Sequence, residues 1–169
     1  MDTVKLWLYG LISRLLPETR CFGLKVGMLR WCGAKVGDNV RVNSSARIGG
    51  NGKLIIGSGV WIGSQSFIYV SGRTEIRIGN NVDIGPCVML CNGTHKIDLE
   101  GERIAGQGNT ASVVIGDGCW LCARSTILPG VELQPRTLVA AGAVVTKSNA
   151  NQRSLLAGVP AREKKLYET

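Results

Sequence analysis

The chain has 169 residues and a formal charge of +8, with 44% apolar but only 5% aromatic residues. That length sets one domain as the prior, and the apolar content suffices for a packed core. The aromatics do not interleave with a basic stripe, which argues against a nucleic-acid surface; the positive charge suits an anionic small ligand or a membrane surface.

In chain order, the first element is the apolar run at residues 4–16, VKLWLYGLISRLL, which carries Lys5 and Arg14. It is shorter than the roughly 20 apolar residues a bilayer span needs. No small-residue cleavage site follows it, so it does not read as a secretory signal. The pattern predicts a helix stopped by Pro17 and a second short helix from Phe22 to Trp31. Two roles fit residues 1–32. They can cap the open end of a repeat structure, which is the favoured reading, or residues 4–16 can lie on the inner membrane surface as an interfacial anchor.

From Val36 the chain repeats every six residues. The anchors are Val36, Val42, Ile48; Ile56, Ile62, Ile68; Ile78, Ile84, Leu90; Ile115, Leu121, Ile127; and Leu133, Val139, Val145. A glycine often follows the anchor, as at Gly37, Gly57, Gly63, Gly79, Gly85 and Gly116, and the fourth residue after most anchors is compact. Helices place apolar residues every three or four positions and half-buried strands alternate; neither fits. A period of six with a glycine reads as short strand, corner, short strand. Three units make one coil of a parallel β-helix, and coils must stack to bury their anchors. The glycines are expected to supply positive φ at the corners. Fifteen anchors in one phase leave little room for a β-sandwich. The body is expected at residues 33–149, with a tail at 150–169.

Three insertions break the phase: two residues before Ile56, four around Ser71–Thr74, and the polar stretch 96–112. A long loop extruded from a regular solenoid is usually functional. It begins directly after His95, the single histidine. An imidazole titrates near neutrality and suits general-base work at a hydroxyl. Cys119 and Cys122 have CxxC spacing but occupy the compact positions of adjacent units, so they read as reduced structural thiols.

The pattern [Val/Ile/Leu]-Gly-x-x-small-x resembles the hexapeptide-repeat acyltransferases over residues 33–165. The resemblance implies an all-β fold: a left-handed parallel β-helix of about five coils, with a short helical N-terminal cap and one long extruded loop. Within that family the chain looks like the sugar O-acetyltransferases, of the galactoside and maltose type and of the capsule or O-antigen type. Leu29–Gly37 is similar to the polysaccharide group.

The resemblance implies acetyl-CoA as acyl donor, His95 as general base, and a homotrimer in which His95 of one chain meets the coenzyme groove of the next. It implies coenzyme contacts from Trp120, Ala123, Ala141, Thr146, Lys147, Arg162 and Lys165. Gln65 and Arg73 stand where the galactoside type has an acceptor-binding Asn and Asp, so a galactoside acceptor does not follow. Asp83 and Asn92, with Gln65, are the candidates to face the acceptor. The resemblance implies that this acceptor is a small-molecule or lipid-linked sugar of surface polysaccharide biosynthesis, met in the cytoplasm or at the inner membrane. No metal is expected: the hexapeptide carbonic anhydrases use three histidines, and this chain has one. The alternatives are an acetyltransferase for a xenobiotic, serine or an amino sugar, and a non-catalytic β-helix subunit.

Overall fold

Aliphatic residues six apart can share a core only if the chain turns twice between repeats and returns one strand-width higher. The computed structural model, which describes residues 1–167, has that form: a parallel β-solenoid of about five coils with three flat faces. Face A stacks strands Lys35–Val36, Lys53–Ile56, Glu75–Ile78, Val113–Ile115 and Glu132–Leu133. Face B stacks Arg41–Val42, Trp61–Ile62, Asp83–Ile84, Trp120–Leu121 and Leu138–Val139, and face C stacks Arg47–Gly49, Phe67–Tyr69, Met89–Cys91, Thr126–Ile127 and Val144–Val145.

The anchors fall into three columns. Val36, Ile56, Ile78, Ile115 and Leu133 are register partners on face A. Val42, Ile62, Ile84, Leu121 and Val139 align on face B, and Ile48, Ile68, Leu90, Ile127 and Val145 on face C. All but Val36 are buried. Each buried methylene contributes about 0.8 kcal/mol, so the columns carry the fold, and an inserted residue must be extruded to keep the phase.

The corner glycines do something other than expected. Positive φ occurs three residues after the anchor, at Asn39, Gly59, Gln65, Asn81, Cys87, Gly118, Arg124 and Arg136 among others. The glycine directly after the anchor is instead fixed by close approach. A Cβ at Gly116 would lie 2.6 Å from Pro135 N and 2.7 Å from Leu133 O, and one at Gly85 would lie 2.9 Å from Ala123 N. Coils about 4.8 Å apart leave no space there for a side chain. Along the A–B edge, side-chain oxygens knit successive coils. Ser58 Oγ accepts from Asp38 N at 3.1 Å, Asn80 Oδ1 from Ser58 N at 2.9 Å, and Asp117 Oδ1 from Asn80 N at 2.7 Å.

Two helices close the first coil. In α1 (Thr3–Leu15), Asp2 caps the N-terminus by accepting from the amides of Val4 and Lys5. Leu6 and Tyr9 point inward, joined by Val26 and Leu29 of α2 (Phe22–Trp31). Burial pushes the Tyr9 phenol up to about 12. Buried Lys25 donates to Glu18 O at 3.1 Å and Ser44 Oγ at 3.0 Å, and burial lowers its pKa. Among the described residues no helix is long and apolar enough to cross a membrane.

At the other end the chain remains ordered past residue 149. Ser154–Gly158 adds a further parallel strand to face B, with Leu156 extending the anchor column, and Ala161–Leu166 folds back antiparallel on it. The last two residues of the expected tail, 168–169, lie outside the described part. All six cysteines are free, with Cys119 in the core.

Substituting Gly116 by Ala forces backbone apart between two coils and is expected to cost about 1–3 kcal/mol. Gly27→Ala, in α2 with nothing within 4 Å of the added Cβ, is expected to gain about 0.5–1 kcal/mol. Denaturant melts of the two variants check the contrast; equal effects would refute the close-approach reading.

Candidate active site

The longest insertion is a β-hairpin rather than an irregular loop. Strand Gly93–Ile97 leaves face C after Met89–Cys91, pairs antiparallel with Ala105–Thr110, and the chain re-enters the body at Val113 on face A. The hairpin therefore stands on the C–A edge. Asp98 closes its tip: Oδ1 accepts from the amides of Glu100 and Gly101 at 3.1 and 2.9 Å, and its own amide donates to Ile104 O.

His95 sits in the outgoing strand, opposite Gly108 and exposed. The pairing slips between His95 and Ile97, and there the imidazole Nδ1 lies 2.9 Å from the carbonyl oxygen of Gly106. A carbonyl can only accept, so Nδ1 carries a proton. In the neutral ring that leaves the lone pair on Nε2. A general base needs this arrangement: one nitrogen anchored, the other basic.

Asn92 is placed differently from the acceptor-facing role expected of it. It is fully buried. Its Oδ1 accepts from Ser71 N at 2.7 Å, its Nδ2 donates to Ser71 O at 3.0 Å and Thr74 Oγ1 at 2.7 Å, and its backbone oxygen accepts from Ala111 N. Asn92 thus ties both feet of the hairpin to the shorter insertion one coil below. Ser71 and Thr74 lie 21 and 18 positions before Asn92 in the chain, and only the three-dimensional stack brings them together.

The remaining expected residues are spread over two edges and face B. Thr146 and Lys147 follow Val145 on face C, so they share the C–A edge with His95, two coils or about 10 Å further along the axis. Ala123 and Ala141 lie on the B–C edge, where Ala123 O accepts from Gly142 N at 3.0 Å. Trp120 stands on face B, 52% exposed, in register with Asp83 on one side and Leu138 on the other. Arg162 and Lys165 are on the antiparallel strand that ends face B, opposite Ala157 and Leu155. Arg136 and Arg153, which the sequence did not single out, flank Trp120 and Leu138 in a shallow cavity of about 360 Å³. Gln65, exposed at positive φ, accepts weakly from Cys87 Sγ at 3.6 Å and borders a groove of about 780 Å³ between α1 and face C, with Trp7, Arg14, Arg47 and Phe67. Arg73 is exposed on the insertion that Asn92 braces.

Residues 112–147 match the bacterial transferase hexapeptide (six repeats) model. The chain is 36% identical over 121 residues to WcaF of Escherichia coli strain K12, a protein assigned to colanic acid biosynthesis as an acetyltransferase; the match covers 72% of this chain and 63% of WcaF. This chain carries the bacterial transferase hexapeptide repeat, and it spans just under two thirds of WcaF's length. Two solved structures share the fold. A galactoside acetyltransferase in complex with coenzyme A superposes with a TM-score of 0.67 at 21% identity, over 97% of this chain and 80% of that one. The hexapeptide-repeat acetyltransferase VCA0836 of Vibrio cholerae O1 biovar eltor, complexed with acetyl coenzyme A, gives 0.65 at 21% identity, over 99% and 87%.

Replacing Asn92 by Ala in this hexapeptide-repeat protein leaves the buried Ser71 amide without its acceptor, at an expected cost of about 1–3 kcal/mol. Amide exchange should quicken across 93–97 and 105–110 while the anchor columns stay protected. Unchanged exchange in the hairpin would show that the brace is not Asn92.

Proposed function

We propose that the chain transfers an acetyl group from acetyl-CoA to a sugar hydroxyl, in the manner of a surface-polysaccharide O-acetyltransferase, with His95 as the general base. The observation that carries this reading is the hydrogen bond from the single histidine to the Gly106 carbonyl, in the hairpin Gly93–Thr110 extruded at the C–A edge. The kinship with WcaF supports the substrate class, although the match spans under two thirds of that protein.

The residues fit a coenzyme A. Ala123, Ala141 and Gly142 keep the B–C edge low, and nothing lies within 4 Å of a Cβ built at Gly142, so an extended pantetheine arm can lie along it. Trp120 offers an exposed apolar wall. Lys147, Arg162 and Lys165 are exposed cations toward the C-terminal end, suited to phosphates. When bound, acetyl-CoA supplies an acyl group activated as a thioester.

His95 takes the proton from the attacking hydroxyl at Nε2 while Gly106 O holds Nδ1–H. The imidazolium so formed keeps the Gly106 bond and returns the proton to the departing sulfur. General-base help of this kind is worth roughly 10²–10⁴ in rate. His95 and Lys147 occupy one edge of the prism, Trp120 and Ala123 the far side of face C. A cleft using both sets needs two prisms side by side, which supports a homotrimer with one shared site per interface.

His95→Ala is expected to keep its thermal midpoint and its acetyl-CoA affinity by calorimetry, and to lose about 10²–10⁴ in kcat, followed by free-thiol release with a panel of monosaccharide acceptors. Near-wild-type turnover would overturn the assignment. Light scattering should give three chains per particle; an active monomer would remove the shared cleft.

A further inference from the structure

Helix α1 is apolar on two opposite sides. At 100° per residue, Leu6, Tyr9 and Ser13 form the face packed on the first coil. Val4, Trp7, Leu11 and Leu15 form a second stripe, about 180° away, and all four are exposed: Trp7 by 66% and Leu15 by 81%. The inward face explains the capping role. The second stripe has no such partner: Trp7 and Leu11 border the groove against face C and Val4 and Leu15 face away from it, all four remaining exposed, and exposing a tryptophan and three aliphatic side chains in one row is costly in water.

Cations border the stripe. Arg14 flanks it on one side and Lys5 on the other, and the Lys5 ammonium lies 4.9 Å from the ring of Trp31, itself half exposed on α2. Residues 1–33 hold Lys5, Arg14, Arg20, Lys25 and Arg30 against only Asp2 and Glu18. Both acids are engaged: Asp2 caps α1 and pairs with Lys5 at 3.8 Å, and Glu18 accepts from the amide and hydroxyl of Ser45. The outward surface is therefore apolar at its centre and cationic at its margins, with two tryptophans.

We infer that the outward stripe of α1, with Trp31, is a docking surface for an anionic phospholipid bilayer. Trp side chains favour the headgroup boundary, and flanking Lys and Arg complement its negative charge. A second copy related by a twofold axis would set each cationic margin against its own equivalent, which opposes that contact. The helix lies in the interface rather than crossing it, consistent with its 13 residues. A trimer whose axis runs along the prisms would present three such stripes on one end, so weak single contacts would add as avidity.

Co-sedimentation with vesicles of phosphatidylglycerol mixed with phosphatidylcholine tests this directly. The full chain should partition onto these vesicles, lose binding as salt is raised, and ignore pure phosphatidylcholine. Trp7→Glu with Leu15→Glu should lower partition by about 10-fold or more, with thermal midpoint and particle mass unchanged. Should that pair lower the midpoint, Arg14→Glu alone gives the same reading: lost binding supports the inference and retained binding overturns it. The inference also falls if the wild-type chain ignores anionic vesicles, or if the double variant dissociates in light scattering, which would assign the stripe to a neighbouring subunit.

Discussion

Backbone stacked directly on backbone is the constraint from which the rest of the structure follows. Each coil sits about 4.8 Å above the last, close enough that a Cβ after the anchor at Gly57, Gly79, Gly85 or Gly116 would come within 3 Å of the next coil. This spacing aligns the Val, Ile and Leu columns and makes the phase of six inviolable. Any residue that cannot fit the phase must leave the prism at a corner. The hairpin is such a departure, and the site exists because the solenoid tolerates extrusions only at its edges.

An extruded strand pair would be a poor place for the proposed general base unless its own base were rigid. Two devices stiffen it. Asn92, buried between coils, saturates the polar atoms of the neighbouring insertion, and Asp98 closes the tip. Between them the slip in strand pairing turns the Gly106 carbonyl toward the imidazole rather than into the ladder. A backbone oxygen holds the ring without adding a charge beside it, so the imidazole keeps an unencumbered Nε2 for chemistry.

Much of this was legible in the chain itself, because the anchor spacing is local information. The fifteen anchors, both helices and the position of the hairpin follow from counting along the sequence. Features that depend on which residues meet across coils did not. The glycine after the anchor looks like a turn former, yet its role is set by a backbone some 20–40 residues away, as with Gly116 and Pro135. Asn92 carries no sign that it faces inward, since a polar residue at a corner normally meets solvent. The strand Ala161–Leu166 holds Arg162 and Lys165 in a charged stretch that reads as solvated tail; it is ordered by pairing with Ser154–Gly158, whose Leu156 continues the face-B column. Residues 4–16 fit either a cap or an interfacial anchor as a sequence; in the fold Leu6 and Tyr9 of α1 do the capping, which leaves its other side free for the second role we infer.

The central claim is that Gly106 fixes the tautomer of the one imidazole in the chain. Because there is a single histidine, a nitrogen-15 NMR spectrum of histidine-labelled protein at alkaline pH reports it without assignment. The account predicts a protonated Nδ1 and an unprotonated Nε2. A spectrum showing Nε2–H, or the fast-averaged signal of a freely exchanging ring, would contradict it.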